Sequence, residues 1–162
     1  MAETLQINSS AALDEQYILL IKQIKSLLNK IDHLITNLAN LAAALKQTFS
    51  KISWVGFYLF DGEKLYLGPF QGKIACTEIK IGSGVCGTAA QKRETIIVYD
   101  VDKFPGHIAC DVESKSEIVV PIFKNDKLFG VLDLDSTEYG TFNETDKKFL
   151  EELTDYLSKE II

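Results

Sequence analysis

Residues 117–135 read EIVVPIFKNDKLFGVLDLD, and this stretch decides the fold that the chain is expected to adopt. Two runs rich in β-branched and other apolar residues, Glu117 to Phe123 and Leu128 to Asp135, have a strand-forming composition. Between them lies Asn125-Asp126, a dipeptide typical of tight turns because both residues tolerate left-handed backbone angles. The stretch therefore predicts an antiparallel hairpin.

Three acidic side chains accompany this hairpin. Strand alternation places Asp133 and Asp135 on one face, where mutual repulsion and partial burial would raise their pKa values and favour a bound proton. A two-residue turn would set Glu117 opposite Leu134 and away from the aspartates, whereas a three-residue loop or a β-bulge would place Glu117 on their face. A solvated acidic face is the alternative with no functional role.

The rest of the chain predicts an α+β protein. Apolar residues at helical spacing indicate two N-terminal helices, at about 12–28 and 31–47, or one continuous helix. Because helices do not alternate with strands, we expect a central antiparallel sheet with the N- and C-terminal helices on one face. The remaining predicted elements are strands at 54–60, 64–71, 74–79 and 95–98, a short helix at 85–92, a long loop at 99–116 and a C-terminal helix capped by Asn143.

Composition excludes several classes of protein. The 162 residues are 46% hydrophobic and 25% charged, with a net charge of −6, which fits a soluble globular domain. The chain has no basic stripe for nucleic acid or an anionic membrane surface, and no apolar run of roughly 18 to 20 residues that would span a bilayer. Its first residues lack the features of a signal peptide, so we expect a cytoplasmic protein.

Three cysteines, Cys76, Cys86 and Cys110, are the first candidates for chemistry. Cytosolic disulfides are usually transient and chemical, and an odd number of cysteines argues against a simple structural staple. Cys86 follows a glycine turn at a predicted helix start, where the helix dipole would favour its thiolate. Cys110 lies in the long loop at 99–116. Burial of each cysteine as an inert core residue is the alternative.

A zinc site is the competing interpretation of the cysteines. His107 precedes Cys110 by three residues, so Cys76, Cys86, His107 and Cys110 would form the ligand set. The closely paired ligands that typify structural zinc sites are absent from this pattern. We therefore expect no metal in this protein.

The chain contains five further motifs, which in chain order are Trp54-Val55-Gly56-Phe57-Tyr58, Gly84-Val85-Cys86-Gly87, His107-Ile108-Ala109-Cys110-Asp111, Ser116-Glu117-Ile118-Val119-Val120-Pro121 and Gly130-Val131-Leu132-Asp133-Leu134-Asp135-Ser136. Together they resemble one family, the free methionine-(R)-sulfoxide reductases, which are single-domain GAF proteins. The similarity runs from about Leu38 to the C-terminus, with the motifs in matching order and spacing.

The resemblance implies a single GAF domain over 1–162, with a helical extension at 1–30 and a core at 31–162. It also implies reduction of free L-methionine-(R)-sulfoxide without a bound cofactor, with thioredoxin as the external reductant. Cys110 would attack the substrate, Cys76 would resolve the oxidised intermediate, and Cys86 would be a third active-site cysteine that assists or substitutes. Whether Cys76 or Cys86 resolves first is left open by the sequence.

The same resemblance assigns the substrate pocket. Glu117, Asp133 and Asp135 would surround the sulfoxide oxygen, while Trp54 and Tyr58 would line the pocket around the methyl group and sulfur. Protonated acids would suit this chemistry, because the oxygen needs a proton before it can leave sulfur. Which acid donates that proton is left open by the sequence.

Two other functions are compatible with this type of domain. A GAF module that binds a small ligand and regulates a partner would show binding without turnover. A protein-repair reductase would need an open site and would act on oxidised protein. The three cysteines and three acids favour the enzyme acting on the free amino acid. The apolar stripe of the N-terminal helices is also compatible with a homodimer.

Overall fold

The structure is a computed structural model that describes residues 4–107 and 112–162. These ranges contain four α-helices, six strands and two short helical turns, at Val101–Lys103 and Leu157–Ile161. In chain order the main elements are α1 (Leu13–Leu27), α2 (Leu34–Thr48), β1 (Trp54–Phe60), β2 (Lys64–Gln71), β3 (Glu78–Lys80), α3 (Gly84–Lys92), β4 (Ile96–Val98), β5 (Ser116–Lys124), β6 (Lys127–Ser136) and α4 (Glu144–Tyr156).

The six strands form one sheet in the order β3-β2-β1-β6-β5-β4, and the paired strands are antiparallel. The hairpins β1-β2 and β5-β6 meet where β1 pairs with β6, although these two strands are far apart in sequence. The predicted α+β class and antiparallel sheet are confirmed.

The two faces of the sheet are covered differently. Helices α1, α2 and α4 pack on one face, here called the helical face, around a large apolar core that includes Tyr17, Phe57 and Leu132. Helix α3 packs on the other, here called the α3 face, with a smaller core that contains Trp54 and Cys86. The N- and C-terminal helices thus share one face, as predicted. None of the helices in the described ranges has the length and apolar character needed to cross a membrane.

The N-terminal segment forms two helices, which decides between the two predicted alternatives. The connection between them is fixed by Asn37, whose side chain donates to Asn29 O at 2.8 Å and accepts from Asn29 N at 3.1 Å. These bonds satisfy backbone groups that a helix break leaves free. At the other end of the chain, Asn143 caps α4 by accepting from Thr145 N at 2.8 Å, as predicted.

The predicted third strand at 74–79 is wrong in its position, since β3 covers only Glu78–Lys80. Aromatic side chains of β1 hold the preceding segment as a loop. Trp54 Nε1 donates to Lys73 O at 3.0 Å, and Tyr58 Oη donates to Cys76 O at 3.2 Å. These tertiary bonds override local strand propensity and leave Ile74 90% exposed.

A β-bulge sets the register of the β5-β6 hairpin. The turn has two residues, Asn125 and Asp126, with φ of +50° and +62°, which suits a tight hairpin. Ile122 then pairs with Gly130 and Phe123 with Leu128, so Phe129 is the extra residue of the bulge. The shift sets Glu117 opposite Asp135. The turn is short, yet the bulge places all three acids on one face.

Candidate active site

Three strands bring the predicted pocket residues together on the α3 face. In the β1-β6 pairing, Trp54 lies opposite Asp135, and in the β5-β6 pairing Glu117 lies opposite the same aspartate. Tyr58 and Asp133 share this face by strand alternation. Glu117 and Asp133 are each only 6% exposed. The acid cluster, Glu117, Asp133 and Asp135, is therefore shaped by register rather than by proximity in sequence.

Burial strongly changes the acidity of two members of this cluster. Desolvation, followed by repulsion from Asp135, raises the pKa of Glu117 well above its usual value. Desolvation and repulsion from Glu117 and Asp135 likewise raise the pKa of Asp133. The two carboxyls also hydrogen-bond to each other, which requires a proton between them. The pair therefore holds a proton more tightly than an exposed carboxyl would.

One oxygen of this pair lacks a partner. Among the described residues, Asp133 Oδ1 is the buried side-chain oxygen or nitrogen that no hydrogen bond satisfies. A buried acceptor without a donor costs free energy, so such a group usually has an absent partner. This atom indicates where a donor or a cation would be held.

The Cys86 thiol lies against the acid cluster. It is the third residue of α3, is buried, and hydrogen-bonds to Asp133. Burial, followed by the negative charges of Asp133 and Glu117, raises the pKa of the thiol well above its ordinary value. The prediction that the helix dipole would favour a Cys86 thiolate is therefore wrong, because desolvation and two neighbouring carboxyls oppose it. Cys86 is a free thiol.

Two further polar residues contact the cluster. Ser114 is 6% exposed, and its hydroxyl donates to Asp135 Oδ1 at 2.5 Å. Nε2 of His107 lies 3.7 Å from Glu117 Oε2. Ser114 was not predicted from the sequence, since a serine in a long loop has no distinguishing pattern. His107 was named as a candidate zinc ligand and as part of one motif, but its place beside a buried carboxyl depends on the fold.

Aromatic rings line the side of the pocket formed by β1 and β2. Trp54 stacks on Tyr58 with ring centroids 6.1 Å apart, and on Phe70 at 5.5 Å. Burial and the nearby acids raise the pKa of Tyr58, so its phenol stays neutral. Trp54 and Tyr58 lie where the sequence predicted, whereas Phe70 was missed because its position depends on the β1-β2 register. These rings form an apolar wall next to the acids.

The two described cysteines are in different redox states: Cys86 is a free thiol, whereas Cys76 forms a disulfide. Cys76 is disulfide-bonded and half-buried, and it lies at the end of the loop that Trp54 and Tyr58 hold. An ion pair between Lys73 and Glu113 joins this loop to the segment before β5. Cys110, predicted as the attacking cysteine, lies outside the described residues.

The arrangement combines three chemical functions. A buried carboxyl pair holds a proton, an apolar aromatic wall suits a thioether, and a free thiol, that of Cys86, lies against the acids. A neutral carboxylic acid can act as a general acid toward a bound oxygen. The site is therefore suited to reducing a small, polar, oxygen-bearing sulfur compound.

Comparisons with known proteins agree with this geometry. A family model for the GAF domain matches residues 31–161. The chain is 54% identical over 154 residues to the GAF domain-containing protein A of Dictyostelium discoideum, covering 94% of this chain and 96% of the relative. It is 50% identical over 136 residues to the free methionine-R-sulfoxide reductase of Saccharomyces cerevisiae, covering 79% of this chain and 76% of the relative.

A solved structure extends the likeness to three dimensions. The free methionine-R-sulfoxide reductase of Neisseria meningitidis, solved in complex with its substrate, is 45% identical to this chain. The two structures superpose with a TM-score of 0.92, over 96% of this chain and 93% of the other. With the fold and the identity in agreement, the chain belongs to the GAF-domain family of free methionine-R-sulfoxide reductases.

Proposed function

We propose that this chain reduces free L-methionine-(R)-sulfoxide to L-methionine. The observation that carries the proposal is the buried Glu117–Asp133 pair, whose raised pKa values keep a proton available beside an aromatic wall. The relatives from yeast and Neisseria meningitidis carry the same activity in their names. A ligand-binding module would have no need for a proton donor in its pocket.

The reaction that we propose moves two electrons from thiols to the sulfoxide. The Cys110 thiolate attacks the sulfoxide sulfur while a carboxyl of the acid cluster gives its proton to the oxygen. Oxygen transfer leaves Cys110 as a sulfenic acid and releases methionine. The Cys76 thiol then condenses with the sulfenic acid, which forms a disulfide and releases water. The disulfide of Cys76 supports its role as the resolving cysteine. Cys86 is a free thiol, which supports an accessory role for this third cysteine.

Selectivity for the free amino acid follows in this proposal from the ammonium and carboxylate groups on the α-carbon of the substrate. In this proposal Asp133 Oδ1 accepts a hydrogen bond from the substrate ammonium group, which would satisfy a buried oxygen that has no other partner. The first turn of α3 has neither a side-chain cap nor an acidic residue, so its backbone N–H groups suit the substrate carboxylate. A methionine sulfoxide within a peptide lacks both charges.

Thioredoxin recycles the enzyme in this proposal, by thiol–disulfide exchange at Cys76. Half-buried Cys76 lies two residues from Ile74, which is 90% exposed and offers an apolar contact to a protein reductant. Replacing Ile74 by Asp should raise the KM for thioredoxin severalfold and leave turnover with dithiothreitol unchanged. The matched control is Ile31→Asp, at a residue that is 91% exposed in the segment between α1 and α2. Equal KM values in the two variants would exclude Ile74 from the contact.

Two further expectations concern the setting of the protein. A reducing cytoplasm would supply the dithiol donor that the cycle requires. A homodimer would cover apolar residues of the N-terminal segment, of which Ile35 is 66% exposed. Sedimentation equilibrium of the reduced protein tests the second expectation.

The decisive experiment measures NADPH consumption with thioredoxin and thioredoxin reductase. The R epimer of free methionine sulfoxide should support turnover, whereas the S epimer and oxidised protein should not. Cys110→Ser should abolish turnover with the fold intact. Binding of the R epimer without turnover, with all thiols reduced, would instead establish a ligand-binding module. Activity on oxidised protein would indicate a repair enzyme.

A further inference from the structure

Three side chains that could each donate one ligand atom to a metal ion meet in the candidate site. Their spacing in the sequence does not predict this. Cys86 comes from α3, Glu117 from β5 and Asp133 from β6, and the donor atoms of all three lie within 4.8 Å of one another. All three residues are buried. One thiol and two carboxyls at such distances can approach a single ion from three sides.

Two observations point to a ligand for this cluster. Asp133 Oδ1 is buried and lacks any hydrogen-bond partner, so a bound cation would relieve an unsatisfied acceptor. His107 lies outside this group of three, but its Nε2 is 3.7 Å from Glu117 Oε2 and its side chain is 15% exposed, so a movement of the ring would supply a fourth donor. One thiolate, one imidazole and two carboxylates form a donor set that suits Zn²⁺ and not Mg²⁺ or Ca²⁺, which prefer oxygen alone.

We propose that the reduced protein binds Zn²⁺ through Cys86, Glu117 and Asp133, with His107 as the fourth ligand, and that the ion inhibits the enzyme. Binding involves no redox step: the thiol and the carboxyl pair release their protons to solvent, and Zn²⁺ takes their place. Inhibition follows because the ion removes the proton that the sulfoxide oxygen needs. This second part rests on the proposed function.

The ligand set differs from the one considered from the sequence. That set combined Cys76, Cys86, His107 and Cys110, and it lacked closely paired ligands. The register of the β5-β6 hairpin supplies two carboxylates instead. Zinc would therefore compete with substrate in the site rather than stabilise the fold.

Cobalt is the probe that reports on the thiolate. Titrating the reduced, metal-free protein with Co²⁺ should produce a thiolate-to-cobalt charge-transfer band, which Zn²⁺ should then displace. Cys86→Ser should lose the band, and Glu117→Gln should weaken Co²⁺ binding about tenfold or more. The matched control Cys76→Ser should retain the band. Near-ultraviolet circular dichroism confirms that each variant is folded.

The outcomes separate the two parts of the proposal. The absence of a band, or a band that persists in Cys86→Ser, would overturn the metal site. Inhibition is measured as methionine formed in a single turnover of pre-reduced enzyme, without thioredoxin or dithiothreitol to compete for the ion. Zinc should suppress this turnover, and a chelator should restore it. Full turnover with zinc bound would overturn the inhibitory role.

Failure of the proposed function would look different. A metal-free protein that forms no methionine in a single turnover contradicts the reductase, whatever the cobalt spectrum shows. A cobalt band in that protein would still establish the metal site.

Discussion

Two buried aspartates, one on each side of the sheet, are surrounded in opposite ways. Asp146 of α4, on the helical face, is fully buried and accepts a hydrogen bond from Tyr17 Oη at 2.8 Å. It also pairs with Lys51 Nζ at 2.6 Å and accepts from Asn143 N at 3.0 Å. Asp133, on the α3 face, has a thiol and other carboxyls as neighbours, and one of its oxygens has no partner.

The difference shows which buried charge serves the fold and which serves the site. A buried carboxylate with a cation and several donors is compensated within the protein. A buried carboxyl beside other acids is destabilising until a proton, a ligand or a metal compensates it. The helical face thus has the character of a structural core, and the α3 face that of a binding site. Substitutions on the α3 face should therefore lower turnover, whereas substitutions on the helical face should lower the free energy of unfolding.

The largest effect is expected for Glu117→Gln on the α3 face. An amide keeps the shape of the side chain but cannot donate the proton that the sulfoxide oxygen needs. Turnover of the R epimer should fall by about 10²-fold to 10⁴-fold, the usual contribution of a general acid. The free energy of unfolding, measured in urea, should change by less than about 1 kcal/mol, because a buried titrating group is replaced by a neutral one. Unchanged turnover would remove the acid role of Glu117.

The next effect is expected for Asp146→Ala on the helical face. The change leaves the Tyr17 hydroxyl and the Asn143 N–H without their acceptor and removes the partner of Lys51. We expect a loss of about 3 kcal/mol in the free energy of unfolding, with turnover per folded molecule unchanged. Glu152→Ala, also on α4, removes an exposed 3.7 Å ion pair with Lys25 of α1 and should cost less than about 0.5 kcal/mol. Equal losses of unfolding free energy in Asp146→Ala and Glu152→Ala would contradict the structural role of the buried Asp146.

The smallest effect is expected in the pH dependence of stability. Folded Glu117 and Asp133 have raised pKa values, so the native state holds protons that the unfolded chain releases near pH 4. Stability from this pair is therefore present at low pH and falls as pH rises from about 4 through the folded pKa values, by at most about 1.4 kcal/mol per pH unit for each proton.

The variant Asp133→Asn should make this decline shallower by about 1 kcal/mol per pH unit, as measured by urea unfolding at several pH values. Glu94→Gln, at an exposed carboxyl, is the matched control and should keep the wild-type slope. A decline that stays the same in Asp133→Asn would show that the pair does not hold the extra proton.

Most of the fold could be predicted because its local signals are strong. The helices at both ends of the chain, the β1 strand and the Asn125-Asp126 turn follow from apolar spacing and turn chemistry. The third strand could not be placed, since Trp54 and Tyr58 bind its backbone from another strand. Propensity describes a segment by itself and contains no information about such tertiary bonds.

The site shows the same division. The three acids and the aromatic wall could be named from the sequence, but the meeting of Glu117 with the aspartates depends on the bulge that leaves Phe129 unpaired. The acidity of Cys86 was predicted with the wrong sign, because its helix position is local while its burial against Asp133 is not. Ser114 and Phe70 were missed because neither carries a pattern of its own.

The bulge at Phe129 has a consequence for how such domains diverge. Because the ladder leaves Phe129 unpaired, a related chain that lost this residue could keep Ile122 opposite Gly130 and Glu117 opposite Asp135 in a regular ladder. A chain that kept the residue and paired it regularly would instead set Glu117 opposite Leu134, on the face away from the aspartates. The number of residues between Glu117 and Asp135 therefore does not decide by itself whether the three acids meet. Within this fold, the pairing at position 129 is as informative about activity as the identity of the three acids.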